Sequence, residues 1–195
     1  GLLFVMVNLH TKPIIDKYRA EQLRLAVSEV LPGVTNYRTL YRVEVTLAAV
    51  VPAGAKAADF RQAYIGYDEN GDMVGVAVSR GESGFADVVL VIFGFEPDTG
   101  ILLGKKVLES KETPGLGDKI FKDLEFVQQF FDRPQTPLTA VKAGTGKGLP
   151  GEIDAITGAT ISSKVVVSII NNGVADWRPL LQQTDLEQTL PEEAP

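Results

Sequence analysis

Between residues 41 and 110 the chain changes direction repeatedly, and this stretch most constrains the fold. "YRVEVTLAAV" alternates apolar and polar residues, the period of a half-buried strand. "RQAYIGYDENGDMVGVAVSR" places Glu69-Asn70-Gly71 between two such runs, a hairpin signal. "VVLVIFGF" reads as a buried strand, which "EPDTG" turns into "ILLGKKVLES". Helical spacing brackets this β region. Residues 16–31 repeat apolar side chains every three or four positions and stop at Pro32-Gly33. Residues 118–132 form a second helical stretch ending before Pro134, and residues 160–177 a third, with Gly173 near its end. "LTAVKA" (138–143) is a last strand. Antiparallel strands flanked by helices predict an α+β fold, mostly antiparallel sheet.

Three segments follow: 1–15, a domain over 16–180, and an acidic tail over 181–195 expected to be disordered. The domain is long enough for a substantial core. "GLLFVMVNL" is almost wholly apolar but is nine residues long, where a membrane-spanning helix needs about 20. It reads either as the last turns of a truncated transmembrane helix or as a short buried segment.

Chemistry is limited by what the chain lacks. There is no cysteine and a single histidine, His10, which leaves no thiol or iron–sulfur ligation and no histidine-rich metal site. No metal site is expected. A net charge of -6 argues against nucleic acid as a partner.

Two glycine-rich stretches remain, and one hydroxyl-rich stretch. "AGTGKGLPG" (143–151) fails the phosphate-loop pattern, because Gly148 follows Lys147 where Ser or Thr is needed. It reads as a loop. "ESKETPGLGDKI" (109–120) holds an apolar Leu116 between Gly115 and Gly117, after Pro114. Glycines let a backbone approach another group, and a leucine so presented can cover a flat ring. "IDAITGATISS" (153–163) crowds Thr157, Thr160, Ser162 and Ser163 around Gly158 and Ala159, just before an apolar helix. One reading is an N-cap from Thr157 or Thr160. Capping needs only one hydroxyl, however, and a helix start with open backbone beside it is a seat for phosphate.

"DAITGAT" resembles the flavin-attachment signature Asp-x-x-(Ser/Thr)-Gly-Ala-Thr of the covalent FMN-binding domain family, and "ETPGLG" resembles its second hallmark. Both stand in the family's order. Length and "LLFVMVNLHTKPI" further resemble the G-subunit family of the Rnf-type ion-translocating ferredoxin:NAD oxidoreductase. The resemblance implies a phosphoester between FMN and Thr160. It implies that Asp154 belongs to the sequence read by an FMN transferase of the ApbE type, which uses FAD and Mg²⁺ and releases AMP. Thr157, Gly158 and Ala159 would shape the phosphate seat. Glu112, Thr113, Gly115, Leu116 and Gly117 would line the isoalloxazine pocket. No residue would be a catalytic acid or base. The resemblance also implies one N-terminal transmembrane helix, a domain on the extracytoplasmic side of the cytoplasmic membrane, and other membrane subunits as partners. The alternatives are the homologous C subunit of a sodium-translocating NADH:quinone oxidoreductase, and a module that binds FMN or another phosphate ligand without a covalent bond.

Overall fold

The computed structural model describes residues 21–133 and 137–190. Its centre is a six-stranded antiparallel sheet in the order β2-β1-β3-β4-β5-β6. The strands are β1 (Asn36–Val43), β2 (Thr46–Ala48), β3 (Gln62–Tyr67), β4 (Met73–Ser83), β5 (Val88–Phe95) and β6 (Leu102–Glu109). The expected hairpin forms at residues 68–72, where the Asp68 carboxylate accepts from the backbone N–H groups of Asn70 (2.8 Å) and Asp72 (2.9 Å). The α+β expectation holds.

Side-chain alternation sends the two faces of the sheet to different helices. Ala77 and Ile92 pack with Ala26, Val27 and Val30 of helix α1, whose described part is residues 21–30, and with Leu31 just after it. Val76, Val78, Val91 and Phe93 face the other way, into the larger core with Val166, Ile169, Ile170 and Trp177. Those last four belong to the long helix at Thr160–Gln183.

The end of α1 lies on bare backbone. A Cβ at Gly94 would stand 2.1 Å from the Val30 carbonyl oxygen and 2.6 Å from a Leu31 methyl. The first neighbour is main chain, so rotamer changes cannot clear it. Gly94→Ala is expected to lower stability by about 1–3 kcal/mol, the usual cost of overpacking a core. Urea unfolding followed by circular dichroism checks this, with a midpoint lowered at unchanged m-value as the expected result.

Three expectations about helices and the tail are corrected. The helix expected over 118–132 is broken into α2 (Lys119–Lys122) and α3 (Leu124–Gln128). Asp123 is extended there (φ -79°, ψ 107°), and its carboxylate accepts from the Phe126 N–H at 3.2 Å. An aspartate that caps the next helix competes with the continuous ladder. The helix expected over 160–177 is α4, Thr160–Gln183, and runs six residues further. Gly173 is not a stop: a Cβ there would meet the Phe93 ring at 2.3 Å, so its role is packing. Pro179 is carried inside the helix, whose last turns are held from outside. Arg178 Nε and Gln182 Nε2 both donate to the Pro97 carbonyl, at 2.8 and 3.0 Å.

The tail expected to be disordered over 181–195 is ordered through Leu190. After α4 comes α5 (Leu186–Thr189), capped by Asp185 accepting from the Gln188 N–H. Leu190 is buried, and Arg38 donates to its carbonyl at 2.9 Å. Its three leucines give this acidic segment a reason to pack, since Leu181 and Leu190 are buried in the larger core and Leu186 packs against it. Residues 191–195 and the expected membrane segment 1–15 lie outside the described residues. Among the described residues, no helix is long and apolar enough to cross a membrane.

The last strand pair was only half expected. β7 (Thr139–Val141) runs parallel to β8 (Glu152–Asp154). The glycine-rich loop between them is held by its own carboxylates. Gly146 N–H reaches Asp154 Oδ1 at 3.3 Å, and Lys147 and Leu149 N–H reach Glu152 Oε2 at 2.7 and 3.2 Å. Those donors are therefore engaged, which agrees with a loop rather than a phosphate cradle.

Candidate functional site

The start of α4 is where the two motifs meet. Thr157 and Gly158 form a turn with Gly158 at φ +81°, a conformation that glycine adopts without cost. Ala159 occupies the N-cap position and makes no side-chain cap. Neither threonine caps the helix, which corrects that expectation. Thr160 is already the first helical residue, and the left-handed turn at Gly158 separates it from Thr157. The first internal bond is Ser163 N–H to the Ala159 carbonyl at 2.9 Å. The N–H groups ahead of it therefore point out of the helix end without a side chain to meet them.

The four hydroxyls divide into two pairs. Ser162 and Ser163 are buried. Ser163 Oγ accepts from the Ile156 N–H at 3.0 Å and donates to the Ala159 carbonyl at 2.9 Å, which sets the turn. Ser162 Oγ donates to the Glu112 carboxylate. Thr157 and Thr160 are exposed. The small residues between them leave the Thr160 hydroxyl accessible.

The second motif arrives from the end of β6. Gly115 adopts φ +78° and lets the chain reverse. Leu116 then lies over the first motif, with its methyl 3.5 Å from where a Gly158 Cβ would be. Glu112 is 5% exposed. Burial pushes its carboxyl up, but the Ser162 hydroxyl and the N–H groups of Ala86, Asp87 and Phe85 outweigh this and hold it below the usual carboxylate range.

Together these segments enclose a cavity of about 350 Å³. Glu112, Thr113, Leu116, Gly117, Gly158, Ala159 and Thr160 all line it. Three expected residues do not. Gly115 turns the loop at φ +78° without lining the cavity, and Thr157 stands on an exposed turn and does not line it either. The Asp154 carboxylate faces Gly146, and its backbone N–H donates to Gln129 Oε1 at 2.7 Å. Sequence reasoning missed Phe85 and Ile161 and gave Ser162 no place on the cavity wall. The only signal for Phe85 was an aromatic residue in the turn "SGFAD" between two strands.

Phe85, Leu116 and Ile161 are 69%, 49% and 53% exposed, so the cavity has an apolar border. One end opens on the N-terminus of a 24-residue helix. An apolar slot with a dipole-favoured anion seat at one end suits a flat ring carrying a phosphate. Among the described residues, no group of acidic, histidine or cysteine side chains could hold a metal ion.

The FMN-binding domain family matches residues 84–175, which include every cavity residue. The chain is 31% identical over 172 residues to the G subunit of the ion-translocating oxidoreductase complex of Methanosarcina acetivorans, covering 88% of this chain and 84% of that one. It is 32% identical over 179 residues to the G subunit of the Na(+)-translocating ferredoxin:NAD(+) oxidoreductase complex of Acetobacterium woodii, covering 90% and 83%. In fold it resembles the crystal structure of the C subunit of the Na(+)-translocating NADH-quinone reductase from Parabacteroides distasonis. That likeness has a TM-score of 0.60 at 18% identity, over 78% of this chain and 80% of the other. The chain belongs to the G-subunit family of the ion-translocating oxidoreductase complexes, built on an FMN-binding domain.

Proposed function

We propose that this chain is a membrane-anchored flavoprotein subunit that relays electrons through FMN joined covalently to Thr160, within an Rnf-type ion-translocating electron-transport complex. The observation that carries the reading is convergence. Two sequence segments meet at one cavity, and the exposed Thr160 hydroxyl stands on its wall at a helix start. When bound, FMN supplies one- and two-electron chemistry.

The chain's own residues hold and shape. The open N–H groups of the first turn of α4 would hold the phosphate, and Gly158 would leave room for it. Leu116, Phe85 and Ile161 keep water from the apolar part of the slot. Glu112 and Thr113 supply polar groups along the same wall. Thr160 is an attachment point and not a turnover nucleophile. In the attachment step its Oγ1 forms a bond to the FMN phosphorus of FAD, the pyrophosphate P–O bond breaks, and AMP leaves. The hydroxyl proton passes to a base on the transferase. That enzyme is an FMN transferase of the ApbE type, reading a sequence that includes Asp154. On this reading the domain is anchored to the membrane on its N-terminal side and stands on the extracytoplasmic face, beside the other membrane subunits.

The 31–32% identity to G subunits supports this reading over the C subunit of a quinone reductase, for which the likeness is one of fold. The test is an intact-mass spectrum under denaturing conditions, on protein co-produced with an FMN transferase and then mapped by peptides. The expected result is a gain equal to FMN minus one water on the peptide that holds Thr160. An unmodified mass, with the transferase active on a control substrate, would overturn the covalent reading.

A further inference from the structure

We propose that Glu112 is a positioning residue, a latch that fixes the β4–β5 hairpin tip against the start of α4 and so stations Phe85 as the aromatic wall of the cavity. The inference rests on the FMN reading above and extends it from Glu112, inside one motif, to Phe85 and the hairpin tip, outside both.

The tip is the four-residue connection Gly84–Asp87, closed by the Gly84 N–H donating to the Asp87 carbonyl at 2.8 Å. Phe85 sits at its apex, 69% exposed and on the cavity. A hairpin closed this way does not need a buried charge beneath it, yet Glu112 is there. One carboxylate oxygen accepts from the Ala86 N–H at 2.9 Å, and the other accepts from the Ser162 hydroxyl on α4. Lys111 adds an outer contact to the same tip, with Nζ 3.2 Å from Asp87 Oδ2.

Two glycines make the latch possible. A Cβ at Gly84 would stand 2.5 Å from one Glu112 oxygen, and a Cβ at Gly117 would stand 2.6 Å from the other. Hairpin, motif loop and helix thus close on a single side chain. Burying a charge costs free energy unless hydrogen bonds satisfy it, and here they come from both elements that need fixing. What they fix is an exposed aromatic ring on an apolar slot. Aromatic rings favour offset or edge contacts with other rings, so Phe85 suits the border of a planar ligand.

Phe85→Trp tests the wall. A tryptophan in contact with a flavin ring donates an electron to its excited state and quenches its emission. Protein is co-produced with an FMN transferase, covalent flavin is quantified by denaturing mass spectrometry, and fluorescence is expressed per covalent flavin. Phe85→Trp should show emission several-fold below the parent, while Phe85→Leu should not. Combining Phe85→Trp with Glu112→Ala should restore most of the emission by releasing the tip, and with Glu112→Gln only part of it. Loaded Phe85→Trp protein as bright as the parent would overturn the wall. Quenching undiminished in the Glu112→Ala combination would overturn the latch. These failures leave covalent flavin in the mass spectrum, whereas failure of the covalent FMN reading removes it and this inference with it.

Discussion

Thr160→Ala is expected to abolish all denaturation-resistant flavin while the domain stays folded. The loss is complete because the bond needs an oxygen at that atom. The fold should be indifferent, because Thr160 is exposed at the first position of α4 and caps nothing. Alanine is also the better helix former, so the change in stability should stay within about 0.5 kcal/mol. Thr160→Ser keeps a hydroxyl and should retain attachment in part. Thr157→Ala, on the outer turn, should leave the phosphoester site itself intact. Denaturing mass spectrometry and urea unfolding separate chemistry from folding in each variant. Flavin that survives denaturation in Thr160→Ala would refute the attachment site.

The second large effect concerns Lys105, on β6 beneath α2 and α3. This lysine is 1% exposed. Its Nζ donates to the Ile120 carbonyl at 2.6 Å and lies 5.2 and 5.1 Å from the ring centres of Phe126 and Phe130. Burial pushes its ammonium down to about 7, against a smaller opposing pull from Glu29. The sign of the linkage follows from this depression. Between about pH 7 and the ordinary lysine range, the unfolded chain carries a proton that the folded chain has given up. Stability therefore rises with pH through that window and levels below it, with a slope approaching 1.4 kcal/mol per pH unit, or about 2.303RT for one proton. Lys105→Met should remove this component. Urea midpoints from pH 7 to 9.5 measure it, a window kept below the ionisation of Tyr64, which burial raises to about 12. A wild-type slope equal to that of Lys105→Met would show that the lysine does not titrate as its burial requires.

Much of the sheet was legible in the sequence because its strands carry their own evidence. The turn at Glu69-Asn70-Gly71 and the apolar run of β5 are local signals, whereas "YRVEVTLAAV", read as one strand, holds the end of β1, a reversal with Glu44 at φ +54° and then β2, because alternation alone does not mark a tight turn. Limits of α4 and the break at Asp123 were not legible. Gly173 and Pro179 look like stops to a local reading, yet Phe93 needs the missing side chain and Pro97 ties down the last turns. Asp123 sits in an unbroken amphipathic pattern, and only its hydrogen bond to Phe126 reveals the new start. At the site, Leu116 between its glycines and the small residues before α4 were readable from the sequence, whereas the pairing of the two segments came from the family resemblance and the Glu112–Ser162 contact that joins them was not read. Phe85 was not, since an aromatic residue in a turn has no periodicity to betray it. Asp154 was assigned to the site by motif, and the structure turns its carboxylate toward the β7–β8 loop.

The span of the Glu112 contacts has a consequence for the order of folding. Its carboxylate bridges residues 26 positions behind it and 50 ahead. Contacts between such distant residues must overcome loop-closure entropy before they return any stability, so they form late. Helix α4 and the hairpins can be nucleated by neighbours, but the cavity exists only once β4 to β6 are aligned and α4 is docked across them. Thr160 gains a slot beside it only at that last, long-range step of closure.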